Sequence, residues 1–295
     1  MLWLNKKTIK DISIDEYVRL IQRHFCINKI LQYSKKSCVC LTSNNTVVKI
    51  LNPDLSKYQY KNFMLANTLL SKCGIKTPCN LSNKIIGEFC IIENEYISPR
   101  FFLDKISLSR ADRLFFDFFN QISKKTRTRF GPLIHREFLP RIFTDLNYIE
   151  YWDIQFEHFF KKISNLVFAD RIKKNYKQLR KRIKTPNEFI LSHSDISPKH
   201  VFAYDSNLGC IDLEEVFYLD KSFMGALWYV RTIYKRNKTN SKEFYSKFRQ
   251  HRFNPDLFNF HFYRELFIQY YYQDLLSHFL RDYLKFSRWY LTNSN

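Results

Sequence analysis

Glycine and proline are scarce in this chain, with five and eight residues respectively out of 295. There is no internal repeat and no low-complexity linker. With 45% hydrophobic and 26% charged residues, that scarcity excludes a disordered or collagen-like polypeptide. No stretch approaches the roughly 18 uninterrupted apolar residues that a membrane span needs. The opening MLWLNKKTIKDISIDE carries charge where a signal peptide would have its apolar core, so the expectation is a folded cytoplasmic protein. The seven cysteines include no CxxC pair. Cys38 and Cys40 alternate along a strand-like run and Cys210 sits in an apolar one, which fits buried reduced thiols better than disulfides or zinc ligands. The length allows one large domain or two ordinary lobes, and two lobes is the working assumption.

What the chain has in excess is positive charge: 48 Lys and Arg against 28 Asp and Glu, a net +20. Such a balance points to anionic partners, among them nucleic acid, phospholipid headgroups or a phosphorylated substrate. Richness in Lys, Asn, Ile, Phe and Tyr is also what an AT-rich coding sequence would write. Charge therefore biases the choice of partner without fixing it.

Apolar residues Ile14, Tyr17, Val18, Ile21 and Phe25 recur at helical steps and predict a leading helix from Asp11 to about Ile30. Two β-rich runs follow, Ser37 to Thr42 and Thr46 to Leu51. They are joined by Ser43-Asn44-Asn45, whose asparagines tolerate a tight turn, so a hairpin is expected with Lys49 on its second strand. Tyr58 to Lys72 reads as a helix stopped by Gly74 and Pro78. Ile85 to Ile97 reads as two strands turning at Gly87-Glu88. Beyond Ser98-Pro99 the pattern becomes helical, at about 108–124, 150–184 and 255–290. Short apolar strands interrupt it at Phe189–Leu191, His200–Ala203 and Cys210–Leu213. The domain boundary is therefore set at a hinge, with 1–97 as the N-terminal lobe and 98–295 as the C-terminal lobe.

The most informative stretch is His193-Ser-Asp195-Ile-Ser-Pro-Lys-His200-Val-Phe, followed by Cys210-Ile-Asp212-Leu-Glu214-Glu215. Phosphoryl transfer needs few protein groups: a carboxylate to take the acceptor's proton, ligands for a divalent metal, and a cation for the phosphates. Asp195 suits the first role, His200 and Asp212 the second and Lys49 the third, in the order a kinase chain presents them. Taken singly, Asp195 could be a turn aspartate, His200 a half-buried histidine and Lys49 a solvated strand lysine. Asp212 at an apolar strand end is costly to bury without a cation. Imidazole is a poor partner for hard Mg²⁺, which makes Mn²⁺ a plausible alternative. His193 reads as a brace for the loop, and Glu214 with Glu215 as supporting groups or simple polar positions.

With a five-residue spacing from Asp195 to position 200 and Pro198 between, HSDISPKHVF resembles the aminoglycoside phosphotransferase and choline kinase-like superfamily. Val47-Val-Lys49-Ile50, Gly74-Ile-Lys-Thr-Pro78 and Gly87 to Ile97 make it most similar to the lipopolysaccharide core kinases, over roughly residues 30–225. The resemblance implies an α+β, two-lobed protein-kinase-like fold with a small β-rich N-lobe and a larger helical C-lobe. It also implies an ATP-dependent kinase using Mg²⁺ or Mn²⁺. Two family features are absent. The turn Tyr33-Ser-Lys-Lys-Ser37 has no glycine, leaving Lys35 and Lys36 as candidate phosphate cations. The helix that would supply a glutamate to the strand lysine offers only Asn62 in register. These absences keep a pseudokinase binding module among the readings.

For the acceptor, Arg171 to Lys184 holds eight Lys or Arg and no acid, with Ile172, Tyr176, Leu179 and Ile183 along one side. Such a helix either lies on an anionic membrane surface or is a solvated face. Aminoglycosides are polycations and suit a +20 protein poorly. The leading expectation is thus a kinase of a lipopolysaccharide inner-core sugar, cytoplasmic and peripheral at the inner membrane face. The alternative is a soluble kinase of an antibiotic or metabolite hydroxyl. A stacking groove for nucleic acid is a further reading, but no recognisable motif supports one, and no nucleic-acid partner is expected.

Overall fold

The computed structural model describes residues 11–34, 36–133, 147–163, 169–204, 207–232 and 242–273. They fall into two compact units. The first holds the chain up to Arg127, the short return at 131–133 and the stretch Ile190–Leu219; the second holds Thr128–Phe130, the chain between 147 and 189, and everything from Asp220 onward. Sheets dominate the first and helices the second, an α+β protein with a β-rich N-terminal part.

The first unit opens with α1 (Ile14–Gln22), capped by Ser13, whose hydroxyl accepts the Glu16 N–H at 3.2 Å. The predicted helix reached Ile30, but the chain turns after α1 and Ile27–Ser34 is a strand, β1. The physical reason lies in its pairing with β2 (Ser37–Thr42). Irregularities at Ile27/Lys29 and Ile30/Gln32 break the two-residue alternation, so the apolar residues fall at helix-like steps. The predicted hairpin is present: β2 pairs with β3 (Thr46–Leu51), and Asn45 takes the left-handed φ of 58° that the turn needs.

Helix α2 runs Pro53–Lys72 and starts earlier than predicted. Asn52 caps it by accepting the Asp54 N–H at 3.0 Å, and Pro53 fits the first turn, where no N–H is required. Strands β4 (Asn80–Ile86) and β5 (Phe89–Glu95) complete an antiparallel sheet in the order β1-β2-β3-β5-β4. They turn at Gly87, whose φ is 60°. The expected pair began only at Ile85, because polar Asn80, Ser82 and Asn83 hide the first strand's pattern. Tyr17, Ile21, Cys38, Cys40, Val48, Ile50 and Ile91 form the core beneath this sheet.

After α3 (Leu108–Ile122), two short strands, β6 (Thr126–Arg127) and β7 (Gly131–Pro132), join β8 (Phe189–His193) and β11 (Val216–Leu219) in a second sheet, ordered β6-β8-β11-β7. Between β8 and β11 the chain makes the hairpin β9 (Val201–Tyr204) and β10 (Asn207–Cys210). The predicted strand from Cys210 to Leu213 thus ends at its first residue. The Gly74–Pro78 segment lies along β10: the Lys76 N–H donates to Leu208 O at 2.8 Å and the Cys210 N–H to Lys76 O at 3.1 Å. A Cβ at Gly209 would stand 2.5 Å from that Lys76 carbonyl and 2.2 Å from the Phe202 ring, so this close approach requires glycine. All seven cysteines are free. Cys38, Cys40, Cys90 and Cys210 are buried, while Cys26 and Cys79 are exposed, unlike the buried thiols expected.

The second unit contains helices Tyr148–Ile163, Ala169–Arg182, Lys221–Arg231, Lys242–Gln250 and Pro255–Gln273. The single helix predicted over 150–184 is two helices. The part of the 255–290 helix beyond 273 lies outside the described residues. Aromatic packing builds the core: Tyr176 stacks on Phe156 with centroids 3.4 Å apart, and Trp152 stacks on Phe223 at 5.3 Å. In the basic helix, Tyr176 and Leu179 are buried, as is Ile183 just past its end, and Arg180 pairs with Asp153 at 2.6 Å. These apolar residues are spent inside the unit, and Lys174, Lys177 and Lys181 remain exposed. No described helix is long and apolar enough to cross a membrane.

Candidate functional site

Every described residue singled out from the sequence as a site candidate lies in the first unit. Lys35 is outside the described residues. The turn after β8 carries Asp195, held by backbone bonds from both sides: the Ser194 N–H donates to Glu215 O at 2.7 Å and the Ile196 N–H to His193 O at 3.3 Å.

His193 is fully buried. Its Nε2–H donates to Ile211 O at 2.8 Å and its Nδ1 accepts the Asp195 N–H at 3.2 Å. These two partners fix one neutral tautomer. Burial, reinforced by His200, holds the His193 pKa below its ordinary value, although Ile211 O, Asp195 and Asp212 pull the other way.

His200 follows the turn. Its Nδ1–H donates to the Asp195 carbonyl, which leaves the Nε2 lone pair facing Asp212 Oδ2 at 3.7 Å. Its Nδ1 is also 3.8 Å from Asp195 Oδ2. The Asp195 side chain is 37% exposed, against 18% for His200 and 27% for Asp212. A reachable carboxylate thus stands beside two acceptors that face each other across a gap.

Asp212 is one of few non-glycine residues with positive φ among the described residues, at φ 58° and ψ 50°. Backbone held in this sparsely populated region costs on the order of 1 kcal/mol and concentrates at functional sites. The kink leads directly into the 3₁₀ turn Leu213–Glu215. As a result, Asp212 and Glu214 share one partner: Lys49 Nζ lies 3.0 Å from Asp212 Oδ1 and also hydrogen-bonds the Glu214 carboxylate. Burial alone would raise the Asp212 pKa, but the Lys49 ammonium, helped by His200, outweighs it and holds Asp212 ionised. Glu214 is pushed the other way, mainly by burial, with Asp212 adding repulsion against the pull of Lys49. Lys49 stays protonated because the two carboxylates overcome its own desolvation.

Glu215 ties a different pair together. It accepts the Ser194 hydroxyl at 2.7 Å, and Lys36, from the turn between β1 and β2, reaches it at 3.5 Å. Against the rise that burial would cause, Lys36 and the Ser194 hydrogen bond keep Glu215 ionised.

Asn62 on α2 is fully buried. It donates to Glu214 O at 2.9 Å and Val216 O at 2.8 Å, and accepts the Leu133 N–H at 2.9 Å. Sequence reasoning found Asn62 only as the occupant of a missing acid's place, and missed both its docking role and the attachment of Glu214 to Lys49. Lys49 and Glu214 are 165 positions apart, and no local pattern reports such a pairing.

Among the described residues, no cluster of three or more His, Cys, Asp or Glu has the geometry of a self-contained metal site. A metal shared with nucleotide phosphates needs fewer protein ligands, because phosphate oxygens and water complete its shell. His200 Nε2 and Asp212 Oδ2, with free lone pairs 3.7 Å apart, fit such a two-ligand contribution. Lys49 beside them supplies a cation.

No protein-family model and no curated protein sequence matches the chain. Solved structures do. An aminoglycoside phosphotransferase in ternary complex with AMP-PNP and hygromycin B aligns with a TM-score of 0.60 at 11% identity, over 92% of this chain and 94% of that one. An amicoumacin kinase in complex with AMP-PNP and Ca²⁺ aligns at 0.55 and 12%, over 92% and 90%. A choline/ethanolamine kinase family protein from Mesorhizobium loti aligns at 0.52 and 12%, over 90% and 80%. Almost the whole chain therefore takes the protein-kinase-like fold seen in aminoglycoside phosphotransferases and choline kinase-like proteins.

Proposed function

We propose that this protein is an ATP-dependent kinase that transfers a phosphoryl group to a hydroxyl of a non-protein acceptor. The observation that carries the reading is the convergence of Lys49, Asp195, His200 and Asp212, which come from three separate segments of one unit. In this reading Asp195 orients the acceptor hydroxyl and takes its proton, a role that needs an ionised, accessible carboxylate. His200 and Asp212 would hold a divalent cation, Mg²⁺ or Mn²⁺, which neutralises charge on the transferring phosphates. Lys49 and Lys36 place positive charge for the phosphates, in a chain that has no glycine-rich turn to offer backbone amides. Residues 1–97 would then serve mainly the nucleotide, and 98–295 catalysis and the acceptor.

Two acceptor classes have distinct support. The +20 charge favours an anionic acceptor, and a sugar of the lipopolysaccharide inner core is the specific candidate. Exposed lysines of the helix Ala169–Arg182 would then meet the anionic surface as point charges. The fold neighbours, which include the amicoumacin kinase and the hygromycin B complex, favour a soluble antibiotic or metabolite hydroxyl.

The test is ATP consumption, with Mg²⁺ and then Mn²⁺, by wild type and by Asp195→Ala, over purified core glycolipid and a panel of alcohols and antibiotics. Turnover that falls roughly 10²–10⁴-fold in the variant is expected. The acceptor that stimulates it chooses between the two classes. Absence of nucleotide binding would replace the kinase reading with a pseudokinase.

A further inference from the structure

We infer that Glu214 is the positioning residue for Lys49, and that the chain divides between Glu214 and Asn62 a task that protein kinases give to a single helix glutamate. The inference rests on the kinase reading above. In protein kinases the strand lysine is held by a glutamate of the helix that follows it, so one ion pair both docks that helix and aims the lysine. Here the two jobs have separate owners.

Docking belongs to Asn62. Its amide bonds three backbone groups, those of Glu214, Val216 and Leu133, with no charge involved. Aiming belongs to Glu214, whose carboxylate bonds the Lys49 ammonium while Asp212 bonds it as well. Because Asp212 adopts a left-handed conformation and the Glu215 N–H closes back onto Asp212 O at 3.0 Å, both carboxylates issue from one tight turn. The lysine is therefore aimed by the turn that carries the metal ligand, and α2 bears on it only through the bond of Asn62 to the Glu214 backbone.

The division can be read without nucleotide. The full-length protein would be treated with a trace of an amine-acylating reagent, and modification of Lys49 compared by mass spectrometry with that of exposed Lys84. In Glu214→Gln the shielded amine should react roughly tenfold faster, as expected for loss of one charged hydrogen bond. Glu214→Asp should fall between the two and also serves if Glu214→Gln folds poorly. Asn62→Ala should melt at lower temperature with Lys49 acylation unchanged. In turnover assays, Glu214→Gln should raise the KM for ATP more than it lowers kcat, a split that a merely structural salt bridge would not give.

Acylation of Lys49 that rises in Asn62→Ala and not in Glu214→Gln would overturn the inference. So would unchanged acylation in both Glu214 variants. If the acylation pattern holds but wild type neither binds nor consumes ATP, the assignment of Glu214 stands and the kinase reading fails.

Discussion

Two histidine–aspartate pairs in this protein use the same chemistry to opposite ends. In the second unit, His261 Nε2 meets Asp220 Oδ2 at 2.5 Å, Tyr148 donates its hydroxyl to the same oxygen, and Asp220 Oδ1 caps a helix by accepting the Ser222 N–H at 2.8 Å. The His261 and Asp220 side chains are 0% and 2% exposed. In the first unit, His200 Nε2 and Asp212 Oδ2 stand 3.7 Å apart with their lone pairs facing and solvent within reach. The first pair is closed to solvent, with both Asp220 oxygens engaged and only the buried His261 Nδ1 left without a hydrogen-bond partner among the described residues, and it serves as cement. The second is held open by its neighbours, with the His200 proton committed to a carbonyl and Asp212 bound on its far oxygen by Lys49. What distinguishes a receptive site from a structural bond is how the surroundings have spent the remaining donors and acceptors.

The largest expected effect that would test this contrast is at the open pair. Asp212→Asn should lower turnover roughly a thousandfold, the several kcal/mol of a lost metal ligand, and lower the melting temperature far less than that, since Glu214 still pairs with Lys49. Equal loss of stability would break the contrast. At the closed pair the expectation reverses: Asp220→Asn should cost about 1–3 kcal/mol in urea unfolding, because it disrupts the buried hydrogen bonds that Asp220 accepts from Tyr148, His261 and Ser222, with activity per folded molecule retained.

A third expectation concerns pH. Burial, working against Asp220, lowers the His261 pKa. The unfolded chain therefore takes up protons more readily than the folded one, and stability is present above about pH 6.5 and lost below it. His193 shifts in the same direction, so the slope should approach about 1.4 kcal/mol per pH unit for each histidine. His261→Gln should roughly halve it, and an unaltered slope would mean that His261 is charged in the folded state. The smallest effect is at His200→Asn. Replacing imidazole by a hard oxygen donor should move the ratio of Mg²⁺- to Mn²⁺-supported turnover a few-fold toward Mg²⁺, while stability should hardly change.

The sequence disclosed what is local. The β2–β3 hairpin was legible because two asparagines announce its turn, and the loop from His193 to His200 because its spacing is carried by adjacent residues. Strand β1 was not legible, since its irregular pairing gives Ile27, Ile30 and Leu31 a helical rhythm. Strand β11 was missed for the opposite reason. All four of its residues are buried, so Val216–Leu219 shows no alternation at all. Of the site, the sequence offered Lys49, Asp195, His200 and Asp212 as candidates by order along the chain. It could not offer the bond from Lys49 to Glu214 or the three backbone bonds of Asn62, because those depend on tertiary pairing.

The left-handed conformation of Asp212 bears on how this protein would respond to selection. Glycine would occupy φ 58° at lower conformational cost, so a library screened for thermal tolerance alone should drift away from aspartate at this position wherever that gain exceeds the lost bond to Lys49. A heat-selected descendant would thus tend to lose its metal-facing carboxylate, unless each round of screening also demanded phosphoryl transfer.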